Sequence, residues 1–199
     1  MYRLVALLIG YALGCVQTAY YIGKMQGIDI REHGSKNAGM TNVTRTLGKR
    51  FGAIVFAVDI CKGILAFALA GLVFKEQGVL PSVYAGCGAV LGHCFPVLLK
   101  FRGGKGASCA VALILMLDWR MALIAFGIGA VLVAITRYIS LGSLVVTALA
   151  PVLLFFFFDY GLEVVLLMVG LAALIWVLHR GNIAKLLNGT ERKFLSKEL

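Results

Sequence analysis

Charged residues are scarce in this chain, and acidic residues are the scarcest of them. Only 14% of its 199 residues carry a charge, and the nine Asp and Glu residues are outnumbered by 19 Lys and Arg residues. A soluble domain carries roughly 25% charged residues, so the composition excludes an ordinary soluble protein. The shortage of carboxylates also disfavours a site in which several acids hold a metal ion, and we expect no metal site.

Paired cysteines and long polar segments are missing as well. The five cysteines lie in or beside apolar stretches and include no Cys-x-x-Cys pair, so we interpret them as small core residues. No polar stretch is long enough for a separate soluble domain or for a basic face that would bind nucleic acid. We therefore expect a single domain over residues 1–199 and no nucleic-acid partner.

Hydrophobic residues, in contrast, make up 61% of the chain, and the mean hydropathy is +0.94. A membrane-spanning helix needs about 20 mostly apolar residues. Apolar runs bounded by polar residues predict seven spans, at residues 2–23, 51–74, 80–99, 107–117, 121–136, 141–158 and 162–178. The fourth is short and has to continue into glycine-rich backbone buried in protein. The sequence thus predicts an all-α integral membrane protein with about seven transmembrane helices.

Glycines are frequent in these spans, and some recur at a spacing of four residues. Gly10 and Gly14 in the first span form one such pair, and Gly88 and Gly92 in the third span form another. Small residues at this spacing let helices in a membrane approach closely. We therefore expect most of the glycines to serve helix packing.

The basic residues are distributed unevenly between the two sets of connections that alternating spans would create. The connections 24–50, 100–106 and 137–140, together with the tail from residue 179, hold fifteen of the 19 Lys and Arg residues. Positive charge is retained on the cytoplasmic side of a membrane. We therefore expect the N-terminus outside and the C-terminus in the cytoplasm. The polar connections, and with them the function, face the cytoplasm.

The first cytoplasmic connection is rich in small hydrogen-bond donors and poor in acid. Asn37, Thr41 and Asn42 lie in a stretch that ends with Arg45, and no acid occurs between Glu32 and Asp59. Amides, hydroxyls and a guanidinium are suited to an oxyanion, and Arg45 can bind a phosphate through two hydrogen bonds. The alternative is a solvated connector.

The second cytoplasmic connection contains Gly103, Gly104, Lys105 and Gly106 directly before the short fourth span. Consecutive glycines can form a backbone nest, the start of a helix adds a positive dipole end, and the lysine adds a full charge. The spacing differs from a Walker A loop, since Leu99 stands where that motif needs glycine. The alternative is a basic turn that binds anionic lipid headgroups.

The third polar cluster begins with His179 at the cytoplasmic end of the last span. A histidine there can move protons near neutral pH, or it can be an interfacial residue with no part in chemistry. A smaller cluster at Arg137, Ser140 and Ser143 either completes an anion pocket or caps the sixth span.

Two ionisable residues, Asp59 and Lys62, lie within the second span. They are three residues apart, so they share one helix face and can pair. Charges inside a membrane are functional candidates. We favour a structural ion pair that supports the first connection. For His33 and His93 we also favour a structural role over a catalytic one.

Taken together, the motifs resemble those of the PlsY-type acyl-phosphate:glycerol-3-phosphate acyltransferases of bacteria. The resemblance covers essentially the whole chain, with three main motifs in the same order. These are Gly34-Ser-x-Asn-x-Gly-x-Thr-Asn with Arg45, Phe101-x-Gly-Gly-Lys-Gly106, and His179-Arg-x-Asn-Ile with Glu191. Lesser signatures are Asp59-x-x-Lys62-Gly63, Gly92-His93-x-x-Pro96 and Arg137-Tyr138-x-Ser140-Leu141.

The resemblance implies a seven-helix enzyme of the bacterial inner membrane, with its active site on the cytoplasmic side. It implies transfer of a fatty acyl group from acyl phosphate to the 1-position hydroxyl of glycerol 3-phosphate, which yields lysophosphatidic acid and phosphate in the first acylation of phospholipid synthesis. A second enzyme has to produce the acyl phosphate. Important residues carried over from the family are Ser35 and Arg45, the phosphate-binding loop 103–106, and His179 with Asn182.

The residues are compatible with that chemistry. An acyl phosphate is a mixed anhydride with a good leaving group, so neither an acyl-enzyme nor a cofactor is required. Lys105 and the loop N–H groups would stabilise the leaving phosphate and the carbonyl oxyanion. The hydroxyl proton passes either to His179 or to a phosphate oxygen of the substrate.

A transporter of anions or lipids is the competing interpretation from another functional class, because basic glycine loops also bind transported phosphate. It predicts polar residues that continue through the spans, whereas the outer halves here are nearly all apolar. A different class of acyltransferase is excluded, since no His-x-x-x-x-Asp motif occurs.

The charge distribution predicts that residues 36 and 105 both face the cytoplasm. Single cysteines placed at these positions in a cysteine-free background should react with a membrane-impermeant maleimide only after the cells are opened. A cysteine at position 120, in a connection predicted to lie outside, is the matched control and should react in intact cells. Labelling of positions 36 and 105 in intact cells would overturn this topology.

Overall fold

The structure is a computed structural model that describes residues 1–194. The described part of the chain is helical, with ten α-helices, two short 3₁₀ turns at Lys75–Gln77 and Val97–Leu99, and no strand. The helices are α1 Tyr2–Gly14, α2 Thr18–Met25, α3 Met40–Leu47, α4 Lys49–Val73, α5 Leu80–Cys94, α6 Ala107–Leu117, α7 Trp119–Thr136, α8 Ile139–Phe157, α9 Leu162–Leu178 and α10 Arg180–Leu187.

The prediction of an all-α membrane protein is confirmed. Five segments are long and apolar enough to cross a membrane, and the bent pair of α9 and α10 makes a sixth if it is one span. The helix α6, with 11 residues, is as short as expected. The count of seven spans and the orientation stay predictions.

The first predicted span is not one continuous helix. It breaks after Gly14 and resumes at Thr18, and the intervening residues contact α4 and α5. The Gln17 amide donates to the carbonyl of His93 at 3.1 Å, and the Val16 carbonyl accepts from the Lys62 ammonium at 2.9 Å. Hydropathy did not signal the break, since Cys15 and Val16 are themselves apolar.

The chain divides into two compact units, the first over Met1–Leu117 and the second from Asp118 onward. In the first unit α5 is the central helix and packs against α1, α4 and α6. A helix that is apolar and small-residue-rich on all sides suits such a position. Twelve of the residues of α5 are buried, from Pro81 to Cys94.

The contact between α1 and α5 depends on glycine. A Cβ atom on Gly10 or Gly14 would overlap the carbonyl of Ala85 or Ala89, and one on Gly88 or Gly92 would overlap a carbonyl of α1. The two predicted glycine pairs therefore face each other across one interface, and the backbones meet directly. The role predicted for these four glycines is confirmed.

The second unit contains α7, α8, α9 and α10, with α8 packed against both α7 and α9. Asp118 caps α7 by accepting hydrogen bonds from the backbone N–H groups of Arg120 and Met121. The Arg120 guanidinium beside it, with the Tyr160 hydroxyl at 2.9 Å, holds the pKa of the Asp118 carboxyl well below its usual range. The indole N–H of Trp176 donates to the Leu144 carbonyl at 3.2 Å and joins α9 to α8.

Substitution of Gly88 by Ala should destabilise the protein by about 1–3 kcal/mol, because the new methyl group overpacks the α1 backbone. It would overlap the Leu7 carbonyl and lie 2.9 Å from the Tyr11 nitrogen. Gly170→Ala is the matched control, since Gly170 is also inside a helix and its Cβ would meet nothing within 4 Å. Thermal unfolding in detergent should show a lower midpoint for Gly88→Ala and an unchanged or higher one for Gly170→Ala. Equal midpoints would contradict the close contact.

Candidate active site

The first polar connection is wrapped around one buried side chain. Asn42, on α3, is 1% exposed, and its amide nitrogen lies 3.0–3.1 Å from the carbonyls of Ile30, His33 and Asn37. Its amide oxygen accepts the backbone N–H of Ser35 at 2.8 Å. Buried amide groups of this kind are costly to leave unpaired, so the loop closes on Asn42. The side chain of Ser35 is left exposed at the surface of the loop.

This arrangement differs from the expectation for Asn42. We predicted a substrate contact, but its amide is committed to the loop backbone, and the geometry gives it a loop-organising role. Arg45 follows one turn later on α3 and is half-buried, as are Asn37 and Thr41. The same short helix therefore carries the residue that shapes the loop and the guanidinium predicted to bind phosphate.

An ion pair secures the beginning of this loop. The Arg31 guanidinium donates to both carboxylate oxygens of Asp29, at 3.0 and 2.8 Å, and lies over the ring of Tyr20. These hydrogen bonds lower the pKa of Asp29 to about 2. The carboxylate is therefore ionised throughout the physiological range, and it would lose its contribution to stability only as the pH falls through that low value.

The glycine loop, residues 103–106, is docked on the C-terminal end of α5. The N–H of Gly103 donates to the Cys94 carbonyl at 3.1 Å, and the N–H of Gly104 donates to the His93 carbonyl at 3.0 Å. These carbonyls belong to the last turn of α5, where helices lack internal partners. A Cβ on Gly103 would overlap the His93 carbonyl, so the glycines are required by contacts within the protein.

This finding corrects the expected backbone nest. The N–H groups of Gly103 and Gly104 point at carbonyls of α5, so these two groups are not directed at an anion. Gly106 has a φ of +82°, and its Cβ would lie 2.6 Å from a methyl carbon of Val90. Lys105 is half-buried between these packed glycines, directly before the N-terminal end of α6. The anion attractors that remain here are the lysine and the helix end.

The first and second motifs come together in the first unit. A Cβ on Gly104 would lie 2.7 Å from the carbonyl oxygen of Ala38, which belongs to the first connection. Ala38 is buried in a small apolar cluster with Ile30 and Val43. The loop that carries Ser35 and the loop that carries Lys105 are thus in direct contact.

A buried network of charged groups lies behind the glycine loop. Lys62 donates to the Asp59 carboxylate at 2.8 Å, so the predicted pairing is confirmed, and both side chains are almost completely buried. Support of the first connection by this pair stays a prediction. The Lys62 ammonium also lies 2.8 Å from Nδ1 of His93, and the Cys109 thiol lies 3.4 Å from the Asp59 backbone carbonyl. Buried ionic groups need this degree of hydrogen bonding to be tolerated.

Asp59, His93 and Cys109 are the one group of metal-type ligands among residues 1–194. Their ligand atoms lie within 4.8 Å of one another. The Lys62 ammonium, however, contacts both the carboxylate and the imidazole, and so provides the positive charge that a metal ion would otherwise supply. The donor set therefore fits an ion-pair network better than a metal site.

In the second unit, His179 lies at the bend between α9 and α10, whose axes differ by 63°. The imidazole is buried, and its Nδ1 lies 2.8 Å from the Ile175 carbonyl. A carbonyl can only accept, so Nδ1 carries the proton in the neutral ring and Nε2 is the basic nitrogen. This tautomer is compatible with a proton acceptor.

Asn182, on α10, is joined to the segment that follows this helix by the buried carboxylate of Glu191. The amide of Asn182 donates to Glu191 at 2.8 Å, and the hydroxyl of Ser140 donates to the same oxygen at 3.0 Å. The tail continues to Phe194, whose N–H donates to the Arg137 carbonyl at 2.7 Å. The helix α10, the segment that follows it and the start of α8 are thereby connected within the second unit.

Of the two alternatives for Ser140 and Ser143, an anion pocket or a cap of the sixth span, the structure does not show the cap. The Ser140 hydroxyl is used by Glu191, and the Ser143 hydroxyl donates to the Ile139 carbonyl of its own helix at 3.1 Å. No side chain caps α8. Ser143 is half-buried, and its proposed contact with substrate stays a prediction.

Two residues with clear roles were missed as site residues. Gln17 and His93 connect the break in the first span to the glycine loop, and neither was included among the candidates. A lone glutamine inside an apolar run was the available signal for Gln17. The Gly92-His93-x-x-Pro96 signature was the signal for His93.

Comparison with known proteins identifies the family. A family model described as glycerol-3-phosphate acyltransferase matches residues 4–189. The glycerol-3-phosphate acyltransferase of Thermoanaerobacter sp. (strain X514) is 39% identical over 198 residues, covering 99% of this chain and 98% of that protein. The enzyme of the same description from Clostridioides difficile (strain 630) is 39% identical over 195 residues, covering 96% and 94%.

Two solved structures are similar to this chain along nearly its whole length. Both are crystal structures of PlsY, an integral membrane glycerol 3-phosphate acyltransferase. The glycerol 3-phosphate form is 35% identical with a TM-score of 0.89 and covers 96% of this chain and 95% of its own. The lysophosphatidic acid form is 34% identical with a TM-score of 0.85, covering 96% and 94%. These similarities decide for an enzyme over a transporter. The chain belongs to the glycerol-3-phosphate acyltransferase family and is a PlsY-type integral membrane acyltransferase.

Proposed function

We propose that this chain transfers a fatty acyl group from acyl phosphate to the 1-position hydroxyl of glycerol 3-phosphate, releasing lysophosphatidic acid and inorganic phosphate. Membership of the family supports the acylation of glycerol 3-phosphate. The acyl donor, the acylated hydroxyl and the location of the active site on the cytoplasmic side of a bacterial inner membrane are our proposal. An enzyme that makes acyl phosphate is then the functional partner, and the whole chain acts as one transferase domain.

The contact between Ala38 and Gly104 is the observation that carries the proposal. It joins a loop rich in hydroxyl and amide groups to a loop that carries Lys105. No acid occurs between Glu32 and Asp59, or between Glu76 and Asp118, so residues 33–58 and 77–117 contain no carboxylate that opposes the positive charge. Such a surface attracts phosphate, and both proposed substrates carry one.

The reaction needs little more than this surface. The hydroxyl oxygen of glycerol 3-phosphate attacks the acyl carbonyl, the new ester bond forms, and the bond between the carbonyl carbon and the phosphate oxygen breaks. Lys105 stabilises the negative charge on the leaving phosphate and on the carbonyl oxygen. Ser35, Arg45 and Asn37 with Thr41 bind substrate oxygens, and proximity of the two bound substrates provides much of the acceleration.

The residues of the third motif keep the roles that the family resemblance implies. The hydroxyl proton passes to Nε2 of His179 or to a phosphate oxygen of the substrate. Asn182, tied to Glu191, and Ser143 keep the roles in catalysis and substrate binding that the sequence predicts for them. No cofactor enters the reaction, because the mixed anhydride already contains an activated acyl group.

We expect acyl phosphate to be the only efficient acyl donor. Acyl-coenzyme A would need a site for its nucleotide portion, and the short connections of this chain offer little room for one. Purified protein in detergent should be given glycerol 3-phosphate with acyl phosphate, acyl-coenzyme A or acylated carrier protein of the same chain length. Comparable turnover with acyl-coenzyme A would overturn the proposal for the donor.

Replacement of Lys105 by Ala should lower turnover about a hundredfold or more, because loss of a charged contact to the transition state costs roughly 2–4 kcal/mol. Lys100→Ala is the matched control, since it removes the same charge from an exposed residue of the same connection. It should stay within a few-fold of the parent. If folded Lys105→Ala also retains turnover within a few-fold, the role proposed for Lys105 is wrong.

A further inference from the structure

We propose that His93 is a positioning residue that holds the glycine loop, and with it Lys105, in the place where the phosphate of the acyl donor binds. This inference rests on the proposed function, because it assumes that the loop 103–106 with Lys105 receives a substrate phosphate. His93 does not belong to the three main motifs, and it is buried. It acts through the loop, without touching substrate.

His93 contacts the loop with both its backbone and its side chain. Its carbonyl oxygen accepts the N–H of Gly104 at 3.0 Å. Its imidazole Nε2 lies so close to Gly104 that a Cβ atom there would overlap it. The same Cβ atom would also lie 2.7 Å from the Ala38 carbonyl oxygen. Gly104 is therefore held between His93 and the first connection, and Lys105 follows directly from it.

The orientation of the imidazole is in turn set by buried charge. The Lys62 ammonium can only donate, so Nδ1 of His93 accepts its hydrogen bond at 2.8 Å. Lys62 itself is held by Asp59 at 2.8 Å and by the Val16 carbonyl at 2.9 Å. Residues of α4 and of the break between α1 and α2 thus direct one edge of the His93 ring toward the glycine loop.

A positioning role explains why charged groups are kept here. A buried ion pair adds little net stability compared with apolar residues of similar volume, because its desolvation offsets the attraction between the charges. Its hydrogen bonds are directional, however, and apolar packing could not fix the rotation of the His93 ring in the same way. The network is therefore suited to fixing the orientation of the His93 ring.

His93→Asn is the decisive variant. The Asn side-chain oxygen takes the place of Nδ1 and keeps an acceptor for Lys62, while the ring edge beside Gly104 is removed. A displaced loop weakens binding of the ground state and of the transition state alike, so KM for acyl phosphate should rise about tenfold or more with kcat within about threefold of the parent. An unchanged KM in the folded variant overturns the proposal.

His93→Gln is the second variant. Its longer amide reaches the position of Nε2 and restores part of the contact with Gly104, although it lacks a rigid ring. We expect a KM for acyl phosphate between those of the parent and of His93→Asn. If His93→Asn does not fold, the Gln variant decides, and a KM within about twofold of the parent overturns the proposal.

A double variant tests the direct contact. In Gly104→Ala the new methyl group collides with the imidazole, and in His93→Asn/Gly104→Ala it enters the space that the ring has left. The double variant should therefore have a lower KM for acyl phosphate than Gly104→Ala alone, with rescue kept partial by the Ala38 carbonyl. A loss of folded protein alone would not produce such a rescue, and independent effects of the two substitutions would contradict the contact.

Failure of this inference can be distinguished from failure of the proposed function by measuring Lys105→Ala in parallel. If Lys105→Ala retains turnover, the loop is not the phosphate site and the underlying proposal fails. If Lys105→Ala is inactive while the folded His93 variants keep the parental KM, only the positioning role of His93 is wrong.

Discussion

The first unit depends on the carbonyl groups at the C-terminal end of α5. The last turn of any helix leaves carbonyls without partners, and in a membrane water cannot satisfy them. Here other parts of the chain do so: the glycine loop donates to His93 and Cys94, Gln17 donates to His93, and the Tyr11 hydroxyl donates to Phe95 at 2.7 Å. The C-terminal end of α5 thus binds α1, the break after α1 and the glycine loop at one place.

Close approach of backbones makes these contacts at the end of α5 possible. The glycines of α1 and α5 bring the two helices near enough for Gln17 and Tyr11 to reach the end of α5, and the glycines of the loop let it lie directly on that end. The absence of a Cβ atom on each of these glycines therefore permits a contact inside the protein. The glycines beside the proposed phosphate site therefore serve packing within the protein, and the positive charge in this loop comes from Lys105 and the N-terminal end of α6.

Buried polar groups have a comparable role in both units. Asn42 closes the first connection, the Lys62 network orients His93, and Glu191 joins Ser140 to Asn182. In each case a polar group inside the protein holds a segment that carries proposed site residues. Hydrogen bonds are strong and directional where water is excluded, so a few such groups determine the conformation of polar loops that have little apolar surface of their own.

The sequence alone determined the class of protein, the position of most helices and the family. Long apolar runs report hydropathy directly, and the bounds of α6 and α9 agree with the predicted spans residue for residue. Local patterns also located the three motifs and the pairing of Asp59 with Lys62, which are one helical turn apart. Only the tertiary structure decided the break at Gln17, the loop-organising role of Asn42, the direction of the Gly103 and Gly104 N–H groups and the place of His93. Each of these depends on partners distant in the chain, and a linear pattern does not record which distant carbonyl a donor will meet.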